Sequence, residues 1–148
     1  MIYVGADHAG FQLKEEIKEY LGELGMEVED LGAYEVNPDD DYPDYVFPVA
    51  EKVALTPDAR GIIFGGSGQG EDMVADKVKG IRSAVYYGGP LDIVKLSRQH
   101  NDANILSLGA RFINLNQAKE AVKLWLDTEF EGGRHERRIQ KISEIEEK

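Results

Sequence analysis

Five times along this chain a short apolar run gives way to a turn and then to a segment with helical spacing. The runs cover residues 1–6, 26–31, 62–64, 81–87 and 103–109. Between the first two, Phe11, Leu13, Ile17, Tyr20, Leu21 and Leu24 mark one face of a helix, and Gly25 suits its C-cap. Residues 115–127 repeat that pattern around the single tryptophan, Trp125. Strands that alternate with helices build a parallel sheet, with right-handed crossovers and helices on both faces. The expected fold is α/β: a Rossmann-like three-layer αβα sandwich on a five-stranded parallel sheet. No linker divides residues 1–148, so one domain is expected, ending in a charged helix at about 134–147.

Two stretches resist this pattern. Residues 32–43 form a polar loop whose acidic run, Asp39-Asp40-Asp41, is expected to be solvated. The helix beyond it passes through Ala50 and Val53, with Pro48 predicting a late start or a bend.

The chemistry concentrates where the third run ends. Ile62-Ile63-Phe64 stops at Gly65-Gly66-Ser67-Gly68-Gln69-Gly70, and a helical pattern begins with Glu71 and Asp72 in its first turn. Glycines let backbone N–H groups approach a ligand, and a helix N-terminus favours negative charge. The loop nevertheless lacks the Gly-Lys-Ser/Thr of a nucleotide phosphate loop, and its glycine spacing is not that of a dinucleotide fingerprint. Glu71 opposes an anion cradle unless the loop performs chemistry that needs a base. In a parallel sheet, ligands bind beyond the carboxyl ends of strands. Asp7-His8, the glycine loop and Gly88-Gly89 all fall there.

Charge narrows the partners. A net charge of −11 argues against nucleic acid and anionic membranes. Absent cysteine excludes disulfides and thiol chemistry, and with no signal-like or membrane-length run the cytoplasm is expected. Three histidines show no metal-binding spacing, so no metal or cofactor is expected. Against the acidic background, Arg134-His135-Glu136-Arg137-Arg138 stands out. Arg134 and Arg138 share a helix face and suit a phosphate, or else a solvated face paired with Glu136 and Glu131.

Six ordered blocks carry a resemblance over nearly the whole length. They are Gly5-Ala6-Asp7-His8-Ala9-Gly10, Asp41-Tyr42-Pro43-Asp44-Tyr45, Gly65 through Glu71, His100-Asn101-Asp102-Ala103, Leu108-Gly109-Ala110-Arg111 and Glu131 through Arg138. In these the chain resembles the type B ribose-5-phosphate isomerases and the related galactose-6-phosphate isomerase subunits. Many members carry a cysteine base where this chain has Gly65. A second branch instead places a glutamate after the glycine loop, and this chain is similar to that branch.

The resemblance implies a metal-independent aldose–ketose isomerase of the pentose phosphate pathway, acting on ribose 5-phosphate and ribulose 5-phosphate through an enediolate. It implies Glu71 as the base, with Ser67 and the N–H groups of Gly66, Gly68, Gln69 and Gly70 stabilising the enediolate. It implies His100 as the group that opens the sugar ring, with Asn101 beside it and His135 as the competing candidate. Asp7 and His8 would hold hydroxyls or phosphate, and Arg111, Arg134 and Arg138 the phosphate. The site would lie between subunits of a homodimer or homotetramer. The segment Tyr86-Tyr87-Gly88-Gly89-Pro90 departs from the family, which leaves a hexose 6-phosphate or a tetrose phosphate as alternative substrates. A non-catalytic sugar-phosphate binding module is the reading from another class. The N–H groups around Glu71 should lower its pKa, and desolvation on substrate binding should raise it.

Overall fold

A computed structural model describes residues 1–148. Five parallel strands form one sheet in the order β2-β1-β3-β5-β4: β1 (Ile2–Ala6), β2 (Val28–Asp30), β3 (Arg60–Gly65), β4 (Ser83–Tyr86) and β5 (Ile105–Gly109). The central strands β1, β3 and β5 are buried almost throughout, while the outer strands β2 and β4 are mostly half-exposed. Burial on both faces is why the central runs are nearly continuously apolar.

Six helices accompany the sheet: α1 (Phe11–Glu23), α2 (Pro43–Leu55), α3 (Gln69–Asp76), α4 (Asp92–Gln99), α5 (Leu115–Asp127) and α6 (Arg134–Glu146). Alternation along the strands sorts the side chains into two cores. Ile2, Val4, Ile62, Phe64, Leu106 and Leu108 meet Leu13, Ile17 and Leu21 of α1 and Ala118, Val122 and Trp125 of α5. On the other face Tyr3, Ile63 and Ile105 meet Val46, Val49, Ala50 and Val53 of α2. That second layer is tight. A Cβ at Gly61 would lie 2.9 Å from a Val49 methyl, so the bare backbone lets α2 sit close to the sheet. Lys14 is fully buried under α1, where the Asp30 carboxylate accepts from its ammonium at 2.7 and 2.8 Å and joins α1 to the edge strand β2.

Two expectations need correction. The α2 helix does not start late: Pro43 occupies its first position and the helix runs through Pro48. Proline is preorganised for a first turn, and burial of Val46, Val49, Ala50 and Val53 outweighs the roughly 3 kcal/mol that an interior proline costs. The acidic run is not simply solvated either: the Asp40 side chain is 4% exposed and engages His8. The fourth strand in sequence lies at the sheet edge, with the fifth between it and β3.

Ile62 is fully buried in the larger core. Ile62→Ala should lower the free energy of unfolding by about 2–5 kcal/mol, measured by urea denaturation. A loss below about 1 kcal/mol would show that this core is not close-packed.

Candidate active site

The carboxyl ends of β1, β3 and β5 gather one group of polar residues. Asp7 follows β1 and is 6% exposed; its Oδ1 accepts from the N–H groups of Ala9 (3.0 Å) and Gly10 (3.2 Å) and so fixes the turn into α1. The His8 N–H donates to Asp40 Oδ1 at 3.1 Å, and His8 Nδ1 lies 2.7 Å from the same oxygen. That hydrogen bond raises the pKa of His8 above 6.5, with the charges of Asp7 and Asp40 adding, and burial and Arg111 opposing.

The glycine loop is pinned from β5. Ala110 N–H donates to Gly65 O at 2.8 Å and Arg111 N–H to Gly66 O at 3.0 Å, while Ser107 Oγ donates to Gly68 O at 2.6 Å. Gly68 has φ of +79°, and a Cβ there would crowd Gly109 N at 3.1 Å, so both conformation and space demand glycine. Ser67 Oγ accepts the Gln69 N–H at 3.3 Å. The N–H groups of Gly66, Ser67, Gly68 and Gly70 donate to no other protein group and remain available to an anion. The Arg111 guanidinium lies over Gly66 and has no carboxylate partner.

Glu71 is the buried member of this loop, 4% exposed. A Cβ placed on Gly65 would fall onto the Glu71 carboxyl group, so that carboxyl fills the space of the missing side chain. Burial raises its pKa above 4.5, its own backbone N–H opposes, and Asp7 adds to the rise. The contest posed by the sequence is thus decided by burial, already in the free subunit and before any substrate displaces water.

A second group lies at the opposite end of the sheet. The α4 helix runs back toward the amino ends of the strands and ends at His100, shortly before β5 begins at Ile105. Glu131 N–H donates to Gln99 O at 3.0 Å and brings the start of α6 against this corner. His100 and His135 stack with centroids 4.1 Å apart and planes 11° apart. Glu131 Oε1 lies 3.7 Å from His100 Nε2 and 3.6 Å from His135 Nε2. Asn101, Arg134 and Arg138 belong to the same corner, and both arginines are exposed without a carboxylate partner. Neither arginine pairs with Glu136 or Glu131; Glu131 faces the histidines instead.

The structure thus divides the expected residues in two. Asp7, His8, Ser67, Gln69, Glu71 and Arg111 share one end of the sheet, and His100, Asn101, Arg134, His135 and Arg138 the other. The length of β5 alone separates the ends by roughly 13 Å. Sequence reasoning missed Asp40, Tyr42 and Glu131 as members of these clusters. Tyr42 places its hydroxyl 2.7 Å from where a Cβ on Gly70 would be, and it lies in the Asp-Tyr-Pro-Asp block. Asp7, His8 and Asp40, and likewise His100, Glu131 and His135, bring three donor atoms within 4.8 Å of one another. Neither set is arranged for a cation. His8 and Asp40 already share a hydrogen bond, and the in-plane lone pairs of parallel rings do not converge.

A family model described as Ribose/Galactose Isomerase matches residues 2–142. Ribose-5-phosphate isomerase B of Escherichia coli is 44% identical over 147 residues, covering 99% of this chain and 97% of the relative. The crystal structure of ribose-5-phosphate isomerase B from Mycoplasma genitalium with bound ribulose-5-phosphate superposes with a TM-score of 0.95 at 40% identity, covering 99% of this chain and 96% of that one. Ribose-5-phosphate isomerase B of Clostridium thermocellum superposes with a TM-score of 0.91 at 45% identity, covering 99% and 97%.

Asp40→Asn should move the His8 titration midpoint down toward 6.5, read by NMR of the imidazole. The sign follows from the raised value: the Asp40–His8 pair contributes fully below about pH 6.5 and is lost as pH rises through the folded midpoint. An unmoved midpoint would show that Asp40 does not govern the charge of His8.

Proposed function

The chain belongs to the ribose/galactose isomerase family, and on that premise we propose how its two clusters divide one reaction. The activity is interconversion of ribose 5-phosphate and ribulose 5-phosphate, the reaction of the isomerases it matches over nearly their whole length. That reaction moves a proton between C1 and C2 of the open-chain sugar through an enediolate. It needs a base, stabilisation of developing negative charge on oxygen, an acid–base group to open the ring, and a hold on the phosphate.

The observation that carries the assignment is the buried Glu71 carboxyl set against unspent loop N–H groups. Its raised pKa brings it nearer the working pH, which suits a base that must both take and return a proton. Ser67 and the N–H groups of Gly66, Gly68 and Gly70 would face the enediolate oxygen. In this branch glutamate replaces the cysteine base because the two positions compete for one space. His8, whose pKa Asp40 raises, and Arg111 would meet the phosphate from the loop side, with Asp7 on a sugar hydroxyl.

His100, Asn101, Arg134 and Arg138 cannot reach that loop within one chain, since the sheet separates them. We infer that they serve the loop of a second copy. Two copies related by a two-fold axis, with strands running oppositely, bring the carboxyl end of each sheet to the amino end of its partner. The flank available for such pairing carries the exposed Ile93 and Leu96 of α4 and Ile142 and Ile145 of α6, together with the half-exposed edge strand β4. A homodimer, or a homotetramer built from it, is therefore the working unit, acting on a soluble metabolite in the cytoplasm. No helix is long and apolar enough to cross a membrane.

Wild-type protein should exchange the C2 proton of ribose 5-phosphate with solvent deuterium. Glu71→Gln should abolish that exchange while substrate still binds, and wild-type exchange in the variant would remove Glu71 as the base. Arg138→Ala should raise KM about tenfold or more with a smaller change in kcat, in line with loss of a charged phosphate contact worth about 1.5–3 kcal/mol. An unchanged KM would exclude Arg138 from the phosphate clamp.

A further inference from the structure

The stacked histidines at the end of α4 have very different surroundings. The His135 side chain is 8% exposed and that of His100 is 40% exposed. Only His100 has an open edge. His135 is enclosed between its own helix and the other ring, and Gly132 and Gly133, with φ of +70° and +59°, turn the chain to put it there. The Glu131 carboxylate reaches the Nε2 atoms of both rings almost equally.

We propose that His135 and Glu131 are positioning residues for His100: His135 is a plate that fixes the plane of the His100 ring, and Glu131 holds the Nε2 edges of the two rings together. This rests on the assignment of His100 to sugar-ring opening. In that step the anomeric O1–H gives its proton to neutral His100, and the bond from C1 to the ring oxygen breaks. The bonding electron pair stays on the ring oxygen, which takes the proton from the imidazolium, leaving a C1 aldehyde and a new hydroxyl. No net proton is consumed. One ring must therefore pass from neutral to charged and back in a fixed orientation.

Three features serve that cycle. Parallel rings 4.1 Å apart repel strongly if both are cations, so a positive charge on one ring disfavours a second on the other. Burial disfavours that charge on His135 by lowering its pKa, with His100, Arg134 and Arg138 adding to the fall and Glu131 opposing. Asp102, two residues after His100, is committed to Arg82 and Arg98. His100 is then the member that gains and loses the proton, and Glu131 the only carboxylate that meets its Nε2. The two candidates for ring opening thereby separate into one that reacts and one that holds.

The test combines NMR of the free protein with kinetics. In 15N-labelled wild-type protein, the His135 midpoint should lie below 6.5. Glu131→Gln, at an exposed position, should lower kcat and shift the acidic limb of kcat/KM. His135→Ala should lower kcat about tenfold with little change in KM, and His135→Phe, a flat ring that cannot titrate, should recover most of that loss. A His135 midpoint at or above 6.5, an unmoved acidic limb in Glu131→Gln, or a phenylalanine variant as impaired as the alanine one would each overturn the proposal. The NMR arm uses no substrate, so a wild-type protein inactive on ribose 5-phosphate would sink the assigned reaction and leave the histidine result standing on its own.

Discussion

A side chain at position 65 would occupy the space that holds the Glu71 carboxyl group, and much of the loop end of the site follows from that exclusion. Because β3 ends in bare backbone, the first turn of α3 can fold its glutamate back onto the strand and out of water. Burial then raises the pKa of the carboxyl, and the loop N–H groups are left unspent beside it. The same loop is held down by Ser107 and by the two backbone N–H groups that follow β5, so the central strand order also fixes the aim of the loop.

The electrostatics divide along the same lines. A chain with net charge −11 leaves Arg111, Arg134 and Arg138 without carboxylate partners, one at one end of the sheet and two at the other. Exposed guanidiniums with no carboxylate partner are free to take an anion, and on the proposed reading one phosphate would draw on both locations. His8 belongs with them, since Asp40 favours its charged form.

Much of this architecture was legible in the sequence because it depends on local periodicity. The helix at residues 115–127 matches the sequence reading in both bounds, since its apolar stripe around Trp125 is a local signal. The glycine loop and Glu71 were legible because their composition is improbable for a mere turn. What escaped depends on distant partners. Asp40 sits in an acidic run, and only the path of the 32–42 loop brings it to His8, 32 residues earlier. The insertion of β5 between β3 and β4 has no signature, because a crossover of either direction uses the same helix pattern. Proline at position 48 suggested a break, yet the buried face of α2 overrides it. The His100–His135 stack joins residues on different helices, and their separation from Glu71 is a property of strand direction that no motif displays.

The placement of the two clusters at opposite ends of the sheet also bears on how lesions combine. In the proposed two-fold pair each site would draw its base from one subunit and Arg134 and Arg138 from the other. A subunit lacking Glu71 spoils one site through the base, and a subunit lacking Arg138 spoils one through the clamp. When the two kinds of subunit pair, both lesions fall in the same site and the other site is assembled entirely from intact halves. Two defective alleles of one gene would then complement each other in a mixed cell, because the hybrid pair holds one fully intact site that neither allele forms alone.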